Sequence, residues 1–266
     1  MIKLSIITIN YKNAAGLQKT IDSVFSQTYR EFEYIIIDGG SKDGSKEIIE
    51  FHKDKLSYWV SEKDSGIYNA MNKGISKAEG EYLLFLNSGD FLIDEHSLSH
   101  FFLTNCDEDI ICGDILINEK GKYWVKSAPD TLSFEYFTYD TLPHQSALIK
   151  RTLFDKVGLY NEELKFVADW KFYLDALCKF NATYKHISAT VCEYNYDGIS
   201  SIPENATALH KEREEIIERE YPLFYEDYKK FKKAKAELRN FKSSRAHSIL
   251  AKLMHWRIYK IFKITH

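Results

Sequence analysis

Five carboxylate or amide side chains sit where chemistry can be done. Asn10, Asp38, Asp64 and Asp90 stand at or just past the ends of short apolar runs, and Asp169 opens an amphipathic stretch. Groups of this kind can take a base edge or ribose hydroxyls, fix a divalent metal on a diphosphate, or accept a proton. Each has a plainer reading. Asp90 follows Gly89, and an Asp after Gly is often a turn residue or a cap; an Asp at a helix start is often only the cap. His144, directly after Pro143, can act as a base or touch a metal or phosphate, although a lone His near Pro is more often structural.

Such residues need a scaffold that gathers strand ends. Lys3 to Ile9 reads as a first strand, and Asn10-Tyr11-Lys12-Asn13 leads at once into a helix with Leu17, Ile21, Val24 and Phe25 on one face. Glu33 to Ile37 is a second strand, ending in Asp38-Gly39-Gly40-Ser41, and Leu56 to Val60 is a third. Next, Ile67, Ala70, Met71, Gly74, Ile75 and Ala78 mark an amphipathic helix whose other side carries Asn69, Asn72, Lys73 and Ser76. Tyr82 to Leu86 is a fourth, almost wholly apolar strand that stops at Asn87-Ser88-Gly89-Asp90. The alternation predicts a doubly wound, mostly parallel α/β sheet, which binds its ligands beyond the carboxyl ends of the strands. No GxGxxG or GKS/GKT loop occurs, which argues against a dinucleotide oxidoreductase or a P-loop NTPase.

From Asp109 the pattern changes. Asp109 to Ile117 and Lys122 to Lys126 read as a hairpin, Ala147 to Ile149 as a short strand, and a helix begins near Arg151. Phe172, Tyr173, Ala176, Leu177 and Phe180 form the stripe of a further helix, and Asp169 lies in register with it. A carboxylate on an inward face has to be a cap, a paired ion or a working group.

Composition suits a folded enzyme: 44% hydrophobic and 28% charged residues lie near globular averages. Cys106, Cys112, Cys178 and Cys192 show no CxxC or CxxH spacing, so neither a zinc site nor a disulfide framework is expected, and reduced thiols in a cytoplasm are the default. The N-terminus lacks a cleavage pattern, and no apolar run is long enough to span a membrane. The net charge of −3 conceals an asymmetry: residues 229–266 hold 12 Lys/Arg and one acid, whereas residues 1–228 hold 24 basic and 38 acidic residues. A basic tail on an acidic body argues against a nucleic-acid-binding domain. Residues 206–221 and 223–241 read as charged helices. A third helix over 243–262 carries an apolar stripe with Trp256 beside Lys252, Lys260 and Lys263, which fits a membrane interface, the enzyme body or a second protomer.

Taken together these segments resemble the family 2 glycosyltransferases, inverting enzymes of the GT-A fold, and among them the bacterial capsule and exopolysaccharide branch. The likeness spans roughly residues 1–200. SIITINYKN resembles the family's first strand and nucleotide-side turn, which implies nucleotide contacts at Thr8 and Asn10. IIIDGGSKDGS resembles the base-binding motif, with Asp38 at the base-binding carboxylate, Ser41 beside it, and Gly39 replacing the second Asp. The stretch from Ser61 resembles the approach to the metal motif; it implies nucleotide-side roles for Asp64 and Asn72, and it puts Asp90 at the metal carboxylate with Gly89 where an acid is usual. ADWKFYLDA resembles the motif whose Asp is the catalytic base, here Asp169, and Ala168 replaces an acid. His144 and Gln145 resemble an acceptor-side element, and 196–200 a loop that closes over the donor; Trp170 and Lys73 are further expected acceptor or phosphate contacts. Many relatives carry Arg where Met71 stands, so Lys63, Lys73 or Arg151 is left to meet a phosphate.

The resemblance implies a GT-A domain over 1–204 and a basic helical extension over 205–266, with a small antiparallel addition to the sheet. It implies an inverting, Mg2+- or Mn2+-dependent transferase that moves a hexosyl or N-acetylhexosaminyl group from a nucleotide-sugar, UDP-linked by expectation, to a saccharide or lipid-linked acceptor in surface polysaccharide synthesis. The expected place is the cytoplasm, with the tail at the inner face of the plasma membrane or in a homodimer. Two other classes compete: a catalytically silent nucleotide-sugar binding module, and a nucleotidyltransferase, which would usually show a Gly-rich, basic N-terminal phosphate loop.

Overall fold

The structure, a computed structural model, describes residues 2–103, 107–195, 198 and 202–243. Its first half is the expected parallel repeat. Strand β1 (Leu4–Asn10) pairs with β2 (Phe32–Asp38) on one side and β4 (Tyr82–Phe85) on the other, and β3 (Tyr58–Ser61) lies beyond β2, all parallel. Every residue of β1 and β4 is buried, which is why these strands read as continuous apolar runs and not as alternating ones. The crossovers are α1 (Ala14–Phe25), α2 (Ser45–His52) and α3 (Ile67–Lys77). Helix α1 buries Leu17, Thr20, Ile21 and Val24. Helix α3 lies so close to the sheet that a Cβ on Gly74 would come within 2.4 Å of Ile7 Cγ2, so this position needs a glycine.

The second half departs from simple repetition. After β5 (Phe91–Leu92) and α4 (Ser99–Phe102) come β6 (Ile110–Glu119), β7 (Lys122–Lys126), α5 (Phe134–Tyr139), β8 (Ala147–Lys150), α6 (Arg151–Val157), α7 (Ala168–Cys178) and β9 (Tyr184–Asn195). The sheet runs β3-β2-β1-β4-β8-β6-β9-β5, with β7 hydrogen-bonded to β6. Strand β8 is antiparallel to both β4 and β6. The expected hairpin is β6 and β7, with a turn at Lys120 and Gly121, both at positive φ. Strand β9, which sequence reasoning did not identify, runs parallel to β6 and brings Asn195 to the ligand side.

The chain divides into two compact units, residues 1–213 and 214–266. Helix α8 (Ala206–Glu220) begins in the first and continues in the second, followed by α9 (Pro222–Ser243), whose opening proline suits a position that needs no N–H. Lys232 reaches back to Glu214 at 2.7 Å. The helix expected over 243–262 lies, past Ser243, outside the described residues. Among the described residues no helix is long and apolar enough to cross a membrane.

Candidate active site

Asp38 ends β2 as the hub of a hydrogen-bonded ring. It accepts from Asn10 Nδ2 (2.7 Å), the Ser41 backbone N–H (2.9 Å) and Ser61 Oγ (2.5 Å), so three strand-end segments close on one carboxylate. Burial alone would raise its pKa, but the donors from Ser41, Ser61 and Asn10 together outweigh it and hold the carboxyl below its ordinary range. With Asp38 wholly enclosed, a ligand reaches it only if one of these donors gives way. The replacement of an acid by Gly39 has a steric cause: a Cβ there would meet the Tyr11 ring at 3.0 Å and Asp64 Oδ2 at 3.1 Å. Tyr11 leaves 62% of its surface exposed next to this turn, a flat face on which a base can stack. Asp64 in turn is paired with Lys73 at 2.6 Å.

The second cluster is the turn after β4. Gly89 has φ of +106°, a conformation that disfavours a side chain and so explains the missing acid. Thr20 of α1 holds the turn, accepting from Gly89 N–H (3.0 Å) and donating to the Asp90 carbonyl (2.7 Å). Asn13 Nδ2 donates to Ser88 O at 2.9 Å and Asn195 Nδ2 to Gly89 O at 3.1 Å. Between them lies a cavity of about 270 Å³, lined by Asn13, Lys19, Asn87, Ser88, Asp90 and Asn195 among others. Among the described residues, no three acidic, His or Cys side chains are grouped to hold a metal. One carboxylate beside amide and hydroxyl oxygens fits Mg2+ or Mn2+, which draw their other ligands from phosphate and water; it does not fit a structural zinc.

The third cluster joins the second. His144, in the 3-10 turn His144–Ser146, has Nε2 3.1 Å from Asn87 Nδ2 and Nδ1 3.4 Å from Asp169 Oδ2. Tyr68 of α3 donates its hydroxyl to Asp169 Oδ1 at 3.1 Å. The carboxylate favours the proton on Nδ1, which leaves Nε2 to accept from the amide. Burial would raise the Asp169 pKa, but His144, the Trp170 backbone N–H and Tyr68 outweigh it and lower the value. Burial and the Asp169 charge push the Tyr68 phenol well up, so it remains a donor. Asp169 keeps a side-chain exposure of 16%, and His144 15%.

Several expected contacts are not gathered here. Thr8 faces the interior and bonds Tyr34 Oη at 2.9 Å. Asn72 pins α3 to the loop at Tyr160, donating to its carbonyl (2.9 Å) and to Glu162 (2.8 Å) and accepting its N–H (3.0 Å). Trp170 is fully buried, with its indole N–H on the Phe137 carbonyl at 2.8 Å. Lys73 is held between Asp64 and Glu62, and Arg151 donates to the Gly80 carbonyl at 3.1 Å, at the far end of β4 from Asp90. Ser41 accepts the Lys12 N–H at 2.8 Å within the Asp38 ring, and Gln145 is 5% exposed beside His144. Tyr68, Asn87, Thr20, Asn13 and Asn195 were missed. Asn87 and Asn13 stand in the same polar turns as the residues that were singled out, but the others carry no signal short of the tertiary contact.

The profile of Glycosyl transferase family 2 matches residues 5–158. A PGL/p-HBAD biosynthesis glycosyltransferase of Mycobacterium bovis is 29% identical over 209 residues, covering 76% of this chain and 79% of its own. A glycosyltransferase of Mycobacterium tuberculosis is 30% identical over 209 residues, covering 74% and 77%. Among solved structures, S. aureus TarS 1-349 in complex with UDP-GlcNAc superposes with a TM-score of 0.61 at 21% identity, over 73% of this chain and 58% of that one. The mannosyltransferase PcManGT from Pyrobaculum calidifontis, in complex with GDP-Man and Mn2+, gives 0.57 at 15% identity over 98% and 82%. Together with the sheet order, these likenesses make the fold GT-A.

Proposed function

We propose, from the premise that the chain belongs to glycosyl transferase family 2, that it moves a sugar from a nucleotide diphosphate donor, UDP-linked in the first instance, to a hydroxyl of a saccharide or lipid-linked saccharide with inversion. One observation carries the reading: the path of polar contacts from Asn87, in the Asp90 turn, through His144 (3.1 Å) to Asp169 (3.4 Å). It links the turn that bears Asp90 to Asp169, which supports a metal-holding role for the first and proton acceptance for the second. The donor complexes of TarS and PcManGT support the donor class.

In this reading the Asp38 ring and Tyr11 receive the base and ribose. Asp169, ionised at neutral pH and oriented by Tyr68 and His144, takes the proton of the attacking hydroxyl. Asp90 is the residue that would hold Mg2+ or Mn2+. Such an ion, when bound, supplies Lewis-acid stabilisation of a departing diphosphate. A panel of UDP-, GDP- and dTDP-sugars, screened for protection against thermal unfolding with and without Mn2+, tests the reading. Protection by at least one donor, followed by release of its labelled sugar, is expected. Protection without turnover against any acceptor hydroxyl would favour the binding module, and release of pyrophosphate from a nucleoside triphosphate would favour a nucleotidyltransferase.

A further inference from the structure

Lys19 has no role in the mechanism above, yet it lines the cavity that holds Asp90. The charge in that cavity needs a second cation. Asp90 cancels part of the charge of a divalent ion bound beside it, and what is left falls short of a diphosphate. The basic residues near the strand ends can be taken in turn. Lys73 is neutralised by Asp64 at 2.6 Å and Glu62 at 2.7 Å. Arg151 is committed at the opposite end of β4. Lys12 lies over the Tyr11 ring at 4.8 Å, on the base side, and the Lys63 backbone packs against Gly40 there too.

Lys19 differs from all of these. Like Lys12 and Lys63 it is exposed, but it alone of these lysines and Arg151 lines the cavity with Asp90. Its neighbour Thr20 is bonded to the Asp90 carbonyl and the Gly89 N–H, so the backbone that carries Lys19 is fixed against the Asp90 turn. A cation on a flexible stem, rooted on a rigid helix and facing a polar cavity, suits the phosphate of a ligand.

We propose that Lys19 is the diphosphate contact of the donor site. The inference rests on the nucleotide-sugar reading. As the acceptor oxygen bonds to the anomeric carbon, the bond from that carbon to the diphosphate oxygen breaks and its electron pair stays on the diphosphate. The acceptor's proton goes to Asp169, and Lys19 offsets the charge left on the β-phosphate.

The test is calorimetric titration of UDP, UMP and uridine into the full chain with Mn2+, for the native protein and for Lys19→Ala and Lys19→Arg. Lys19→Ala should weaken UDP about tenfold, the scale of a charge-assisted contact, and leave uridine unchanged, with Lys19→Arg recovering most of the loss. An unchanged thermal midpoint without ligand is expected for so exposed a side chain. UDP affinity equal to native in Lys19→Ala, or an equal loss for uridine, would overturn the assignment while the donor reading stands. Failure of the native protein to bind any of the three would overturn both.

Discussion

Asp38 shows what one buried carboxylate does in this site. It joins β1, β2, β3 and the following turn through Asn10, Ser61 and Ser41, so its removal leaves three donors unmatched together. Asp38→Ala should raise the UDP dissociation constant well above tenfold, as calorimetry would show, since a buried donor left unmatched costs about 1–3 kcal/mol and Asp38 matches three. Motif position singled out Asp38, Asp90 and Asp169 along with Thr8 and Trp170, and the last two lie away from the clusters for a physical reason. Thr8 lies on the same face of β1 as Asn10, and being one step deeper it meets Tyr34 and not the cleft. Trp170 follows Asp169 on α7, where one residue turns the side chain into the core. A residue outside the site gives the clearest pH signature. His186 sits between Asp114 (2.9 Å) and Asp130 (2.7 Å); burial would lower its pKa, but the two carboxylates outweigh it and raise the value. A folded pKa above the unfolded one stabilises fully below about pH 6.5 and loses that contribution as pH rises through the raised value. The gap in urea midpoint between the native protein and His186→Asn should therefore shrink on going from pH 6 to pH 9.

The site depends on helix α1 as much as on any strand. Its Asn13 caps the first turn, accepting Gly16 N–H at 3.1 Å, and also holds Ser88, and Thr20 holds Gly89 and Asp90. Thr20→Val keeps the shape but strands the Gly89 N–H, which should cost about 1–3 kcal/mol of unfolding free energy, read from urea midpoints at constant slope. Elements whose burial is written along the chain were legible: β1, β2, β4, α1 and α3 each show their period or their apolar run. Strand β9 was not, because only Val191 and Cys192 of its residues are buried and its register with β6 shifts on either side of Asp114. The insertion of β8 between β4 and β6 was equally hidden, since pairing between strands distant in sequence leaves no local mark.

At the scale of the whole molecule, charge is the organising feature: residues 229–266 carry 12 Lys/Arg against one acid, on a body with 38 acidic and 24 basic residues. If that tail meets an anionic surface at about 1 kcal/mol per engaged basic residue, attachment is strong and salt-sensitive. The full chain should co-sediment with anionic but not neutral liposomes, and a chain ending at Ser243, the last residue of α9, should bind them less; equal binding by both would assign the terminal segment another role. The proposed transfer rests on Asp169 taking the acceptor's proton. The direct measurement is nucleoside diphosphate release from a labelled donor by the native chain and by Asp169→Asn, each paired with calorimetric UDP affinity. The account predicts that Asp169→Asn binds UDP as the native protein does and loses about 10² to 10⁴ in rate. Native turnover in Asp169→Asn would contradict it.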